Sequence, residues 1–390
     1  LANSIIEKIE AELKALESKD QLRSLTVLPS CGGKFTLHGR AFLNFSSNDY
    51  LDLAGDSRLK ETAAEAIRSW GCGSTGSRLM CGHLELHAAL EERLAELFGY
   101  ESSLLFGSGF LANLGVVSAL AQPGDLILLD RLDHASLIDG IRLSSAKWKR
   151  FHHNDMDQLR ALLRGHEGKG RCFVVVESVF SMDGDIAPLE EIAQLAAAAG
   201  AFLMVDEAHA IGVFGPHGGG ICRRLGLRPD LITGTLSKSL GGYGGFAACS
   251  ARIREWLINK SRSFIFSTAL PPASVAAALR AVEIFYQEPG IGERLLSNAR
   301  FFHDRLEEKG LKLLPFESQI IPILIGENEG AVRLAEALWQ EGLYVKAIRP
   351  PTVPPGTSRL RLSVTLAHSR DDLAAAAETI AAMARRIQAA

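Results

Sequence analysis

A lysine that follows a short apolar run among glycines and hydroxyls is a candidate for covalent chemistry. Lys238 closes Gly234-Thr235-Leu236-Ser237-Lys238 and precedes Ser239-Leu240-Gly241-Gly242. Partly desolvated at a strand's carboxyl end, its amine would lose a proton near neutrality and condense with an aldehyde to an imine. A second apolar run, 202–205, leads into Asp206-Glu207-Ala208-His209. A carboxylate there can pair with a protonated pyridine nitrogen and keep such a ring an electron sink. The run 104–106 leads into Gly107-Ser108-Gly109-Phe110, and Leu111, Leu114, Val117 and Leu120 then fall on one helical face. A helix opening on bare amides takes an anion such as phosphate. Thr235 and Ser237 add hydroxyls suited to the same group. Two weaker signals follow other strand ends. His134 is either a ring that stacks on a flat cofactor or a loop histidine, and Ser181 either donates to a phenolic oxygen or shapes the turn with Gly184.

Each of these has a plainer reading. A Ser-Lys pair is usually a surface turn, and Gly107-Ser108-Gly109 by itself is an ordinary strand–helix turn. Asp206 and His209 could ligate a metal, but no third ligand stands at suitable spacing. Asp-Glu-Ala-His also resembles the acidic box of a nucleotide-driven motor, which needs a G-x-x-x-x-G-K-[ST] phosphate loop. Gly165-His166-Glu167-Gly168-Lys169-Gly170 is followed by Arg171 and precedes a strand, and Gly71-Cys72-Gly73-Ser74-Thr75-Gly76 is followed by Ser77-Arg78. Neither is such a loop. The order of the glycine turn, Asp206, His209 and Lys238 along the chain favours the aldehyde chemistry.

The elements that must position these groups are legible. Strand candidates at 103–106, 126–130, 147–151, 172–177, 202–206, 231–235 and 245–249 alternate with helices such as 84–98, 189–199 and 253–259. Near-continuous apolar strands between helices predict a mainly parallel seven-stranded sheet covered on both faces. Ligands of such sheets gather at the strands' carboxyl ends. An amphipathic helix over 1–16 and a hairpin of 35–37 and 41–45 around His38-Gly39-Arg40 precede it. From about Val282 a long helix, strands at 320–325, 344–347 and 359–363, and helices at 331–340 and 370–387 predict a smaller α+β domain. The division expected is 1–47 as an arm, 48–281 as the large domain and 282–390 as the small one.

Bulk composition fits an ordinary globular enzyme of 390 residues, 47% hydrophobic and 22% charged. A net charge of −3 without basic blocks gives no footprint for nucleic acid or an anionic membrane. The six cysteines form no C-x-x-C pair, as expected of reduced thiols in the cytoplasm. No apolar run reaches the ~18–20 residues needed to cross a bilayer. Residues 1–16 lack a signal-peptide pattern, and the opening on Leu1 rather than Met implies that a few residues are missing in front.

Taken as a set, several motifs resemble those of the α-oxoamine synthases, fold-type-I pyridoxal-phosphate enzymes. They are Gly234-Thr235-Leu236-Ser237-Lys238, Val205-Asp206-Glu207-Ala208-His209 and Glu177-Ser178-Val179-Phe180-Ser181-Met182-Asp183-Gly184-Asp185. The likeness continues through Phe45-Ser46-Ser47-Asn48-Asp49-Tyr50-Leu51, Gly73-Ser74-Thr75-Gly76-Ser77-Arg78, Ser267-Thr268-Ala269-Leu270-Pro271-Pro272 and Ile348-Arg349-Pro350-Pro351-Thr352-Val353-Pro354. It covers nearly the whole chain. Two positions depart from the family: Asp52, usually Gly, and Cys72, commonly Ser.

The resemblance implies pyridoxal 5′-phosphate carried on Lys238, which also serves as base and acid at the substrate α-carbon. Asp206 would face the pyridine nitrogen, His209 and Ser181 the phenolic oxygen, and His134 the ring. Gly109, Phe110, Thr235, Ser237 and, across the interface of a homodimer, Thr268 would hold the cofactor, chiefly through its phosphate. Asn48 and Arg361 would bind the amino acid's carboxylate; Arg23, Thr352 and Arg349 would face the acyl substrate. Within the family the motifs are most similar to the branch that joins L-alanine to a pimeloyl thioester, on CoA or an acyl carrier protein. A branch using glycine or serine with another acyl-CoA is the alternative. A transaminase or lyase of the same fold would share Lys238 but release no thiol.

Overall fold

A two-residue hairpin loop favours a turn with both central residues at positive φ, because its twist matches that of the strands. His38 (φ 50) and Gly39 (φ 78) meet that demand between Lys34–Leu37 (β1) and Arg40–Asn44 (β2). The computed structural model describes residues 2–166, 168 and 170–388. Leu1 of the N-terminal helix, and Glu167 and Lys169 of the rejected phosphate-loop candidate, lie outside them. The backbone forms two compact units: Asn48–Ser181 with Asp185–Arg294, and Leu1–Ser47 with Met182–Gly184 and Leu295–Ala390.

The first unit is built on seven strands: Ser102–Phe106 (β3), Leu126–Asp130 (β4), Lys147–Phe151 (β5), Cys172–Glu177 (β6), Phe202–Asp206 (β7), Leu231–Thr235 (β8) and Gly245–Cys249 (β9). They lie in the order β3-β9-β8-β7-β6-β4-β5. All neighbours are parallel except β9, which runs against both β8 and β3. The carboxyl ends of β3, β4, β6, β7 and β8 therefore share one edge of the sheet. Every residue of β4, β6, β8 and β9 is buried, as strands covered on both faces require. β5 is different. Lys147, Trp148, Lys149 and Arg150 are exposed on this edge strand, where charge discourages pairing with another chain.

Helices Gly109–Leu120 and Ala135–Ser144 close one core through Val116, Val117, Leu137 and Ile141 against Leu104, Ile127, Leu129 and Val175. Helix Pro272–Gln287 packs on Ser57–Trp70 and Glu85–Phe98. Glu91 of the latter accepts from Arg78 and Arg254, each at 2.9 Å, and from the Leu105 amide at 2.9 Å. That assigns Arg78, the last residue of the Gly73–Arg78 motif, a buried ion pair beneath β3.

The second unit holds two three-stranded sheets. Leu343–Tyr344 (β11) adds to the hairpin in the order β1-β2-β11; Ile320–Gly326 (β10), Ala347–Ile348 (β12) and Ser358–Ser363 (β13) pair in the order β10-β13-β12. The single strand expected at 344–347 is thus two, because the chain leaves β2 for β13 across Val345-Lys346. Apolar patterning registers burial but not which neighbour supplies the hydrogen bonds. Likewise the long helix expected from Val282 is two, Pro272–Gln287 and Ile291–Glu308, interrupted at Pro289-Gly290. Proline removes a helix donor and glycine frees the backbone there. β11 pairs parallel with β2, and the Lys346 amide donates to the Ser46 hydroxyl, 300 residues away in sequence. Helix Ala2–Glu17 leaves its stripe of Ile5, Ile9, Leu13 and Leu16 exposed.

Candidate active site

Strand β8 ends at Thr235, and the turn after it carries Lys238 into a cavity of ≈ 200 Å³. The same cavity is lined from β7 by Asp206 and His209, from β6 by Glu177, from β4 by His134 and from β3 by Gly109 and Phe110. Five strand ends meet there. The turn is shaped by its own hydroxyls: Thr235 Oγ1 donates to the Gly244 carbonyl (3.0 Å) and accepts from the Ser237 amide (3.1 Å).

Lys238 Nζ lies 2.7 Å from His209 Nε2, and His209 Nδ1 lies 2.7 Å from the Tyr50 hydroxyl, which donates to Asn48 Oδ1 at 3.1 Å. With the phenol's proton committed to Asn48, His209 donates from Nδ1 and its Nε2 accepts from the amine. That chain assigns the tautomer. Asp206 is 6% exposed; its Oδ1 accepts from the Ala208 amide (2.8 Å) and its Oδ2 from Asn113 Nδ2 (2.6 Å). His134 caps helix Ala135–Ser144, its Nδ1 taking the Ser136 amide at 3.2 Å and lying 2.8 Å from the Ser136 hydroxyl. Burial lowers its pKa, so the ring is neutral near pH 7. Glu177 is raised by burial first and by the charge of Asp206 second. With burial and the neighbouring Asp206 both set against its charge, Glu177 keeps its proton near pH 7.

The anion-binding corner is tightly built. Ser108 caps helix Gly109–Leu120 by accepting from Leu111 N at 3.2 Å, while the first-turn amides have no intrahelical acceptor. A Cβ on Gly109 would lie 3.0 Å from Thr235 Cβ, and one on Gly245 2.3 Å from the Ser108 carbonyl carbon. Phe110 meets the His134 ring edge-on, centroids 6.3 Å apart.

Some expected residues are not among those that line this cavity. Ser181 is buried but outside the cavity lining, and Thr268 is exposed and bridged to Ser77. In the other unit Arg361 is buried on β13, donating to the Ser363 hydroxyl at 2.7 Å. Arg23, Arg349 and Thr352 do come together: Arg23 donates to Thr352 Oγ1 (3.3 Å) and the Pro350 carbonyl (3.4 Å). Arg349 donates to the carbonyls of Asp20 and Leu22, its pKa lowered by burial and by Arg23. Asn113 and Ser136 were not singled out from sequence, nor was Tyr50 given a role. The available signal for Asn113 was an amide set in the apolar helix Gly109–Leu120, one turn past Gly109.

These residues fit pyridoxal 5′-phosphate. A primary amine is hydrogen-bonded to an imidazole, a buried carboxylate lines the same cavity, and hydroxyls with helix amides form an anion corner. The profile of the family described as aminotransferase class I and II matches residues 40–380. A serine palmitoyltransferase from S. paucimobilis with bound PLP superposes at a TM-score of 0.93, with 32% identity over 99% of each chain. The chain belongs to this aminotransferase class I and II family, as a fold-type-I pyridoxal-phosphate enzyme with a smaller C-terminal sheet unit. Within that class it is 47% identical to the 8-amino-7-oxononanoate synthase of Geobacter sulfurreducens over 97% of each chain. It is 42% identical to that of Lysinibacillus sphaericus, covering 94% of this chain and 95% of the relative. A solved 8-amino-7-oxononanoate synthase from Francisella tularensis superposes at a TM-score of 0.76, with 30% identity over 88% of this chain and 98% of the other.

Proposed function

We propose that the protein condenses L-alanine with a pimeloyl thioester, of CoA or acyl carrier protein, giving 8-amino-7-oxononanoate, CO2 and free thiol for biotin synthesis. The observation that carries this reading is the Lys238–His209 pair at 2.7 Å in one cavity with Asp206, in a chain so similar to synthases of that name. Bound pyridoxal phosphate supplies the electron sink for the pair left on the amino acid's α-carbon. Lys238 Nζ would hold the cofactor until the amino acid's amine displaces it, and the freed amine would then take the α-proton and later return one. His209 orients that amine by accepting its hydrogen bond, as Tyr50 and Asn48 orient His209. Asp206 would pair with the ring nitrogen, and His134 would lie against the ring. Ser181 is assigned to the phenolic oxygen with His209.

The α-carbon attacks the thioester carbonyl, the thiol leaves, and the resulting β-keto acid loses CO2 before reprotonation. Gly109, Phe110, Thr235 and Ser237 take the phosphate. Thr268, exposed and outside its own chain's cavity, is assigned to the phosphate of a second copy in a homodimer. Arg361 offers a planar fork suited to the amino acid's carboxylate, and Asn48 an amide suited to the same group. Arg23, Arg349 and Thr352 suit an anionic acyl substrate.

A thiol-release assay crossing alanine, glycine and serine with pimeloyl, succinyl, acetyl and palmitoyl thioesters tests the proposal. Alanine with the pimeloyl thioester should exceed every other pair. Fastest release with glycine and acetyl, or serine and palmitoyl, would move the chain to another α-oxoamine synthase. Lys238→Ala should abolish turnover together with the borohydride-reducible visible absorbance.

A further inference from the structure

Asn113 makes three hydrogen bonds in a fully enclosed position. It donates from Nδ2 to Asp206 Oδ2 (2.6 Å) and to the Ser136 hydroxyl (3.0 Å), and its Oδ1 accepts from the Thr233 hydroxyl at 2.7 Å. Asn113 is 3% exposed, Thr233 1% and Ser136 0%. The amide orientation follows from chemistry. An ionised carboxylate only accepts, so the nitrogen must face Asp206; the oxygen then faces Thr233, whose hydroxyl donates. Ser136, receiving the amide, is left to donate to His134 Nδ1, which fixes the His134 proton on Nε2. One side chain thus joins two cavity residues that reach the site from different strands.

We infer that Asn113 is a positioning residue of the site, fixing the direction of Asp206 and, through Ser136, the tautomer of His134. Without it, Asp206 would keep only the Ala208 amide as a partner and be free to rotate away from the ring nitrogen it would pair with. The inference rests on the proposed cofactor and adds a residue that ring chemistry needs without touching the reacting carbon.

The test uses the full-length protein, loaded in parallel with pyridoxal phosphate and with its N1-methylated analogue, whose nitrogen is charged whatever Asp206 does. Asn113→Ala with the natural cofactor should slow α-proton exchange on the order of tenfold or more, the scale of one hydrogen bond to a charged group. The visible band should also change in its pH dependence, and the methylated cofactor should recover most of the exchange rate relative to wild type carrying the same analogue. Thr233→Val, nearly isosteric, should give a smaller effect in the same direction, and it stands in should Asn113→Ala not fold. Equal loss with both cofactors would leave Asn113 a packing residue and overturn the inference, as would a wild-type rate and spectrum. If wild type itself takes up neither cofactor, the functional reading fails first, which separates the two.

Discussion

His153 sits outside the cavity, between two carboxylates. Its Nδ1 lies 3.1 Å from Asp130 Oδ1 and its Nε2 2.7 Å from Asp185 Oδ2. Burial pulls its pKa down, but the two carboxylates more than offset that and hold it at about 10, above its usual 6.5. The folded state therefore binds a proton that the unfolded chain has released over this window. The stabilisation is complete below 6.5 and is lost as pH rises through 10. Denaturation of His153→Gln across pH 6–10 should show a flatter decline in stability than wild type; parallel curves would remove His153 from the account. At this scale the sequence was partly readable. Lys238, Asp206, His209 and His134 follow strand ends, which apolar runs mark well. Asn113 was not readable, because a polar residue inside a helix declares no partner. Asp52 shows the converse: its φ of 57 lies in the left-handed region that glycine enters freely, which accounts for the glycine common there in the family.

Between elements, one tight constraint is that β9 must be bare where the glycine turn crosses it. Gly245 pairs with Phe106 of β3 and Thr235 of β8, and the Ser108–Gly109 peptide rests against its Cα. A methyl group would sit 2.3–2.4 Å from that backbone. Gly245→Ala should therefore lower stability by about 1–3 kcal/mol. It should also weaken cofactor retention in equilibrium dialysis; undisturbed retention would mean the turn yields without cost to the anion corner. The strands themselves were legible almost to the residue, since buried parallel strands read as unbroken apolar runs. What the pattern missed were events decided by neighbours: the split of 344–347 between two sheets, and the interrupted helix near Pro289.

For the whole molecule, motif resemblance runs nearly end to end and agrees with the family match. The way the chain is apportioned was less visible. Met182–Gly184 groups with the unit of Leu295–Ala390, where Gly184 (φ 74) packs on the Ile320 carbonyl and the Ser318 hydroxyl donates to the Gly184 carbonyl at 2.6 Å. Three residues carry no periodicity from which to read such a detour.

The pairing of β2 with β11 also sets an order of events during synthesis. The hairpin leaves the ribosome about 300 residues ahead of the strand that completes its sheet. At roughly 5–20 residues per second, a gap of 300 residues is a wait of roughly 15–60 s. Nascent chains arrested before Leu343 should lose residues 1–47 to added protease, whereas released full-length chains keep them. Early protection would mean that the first segment finds a partner other than β11.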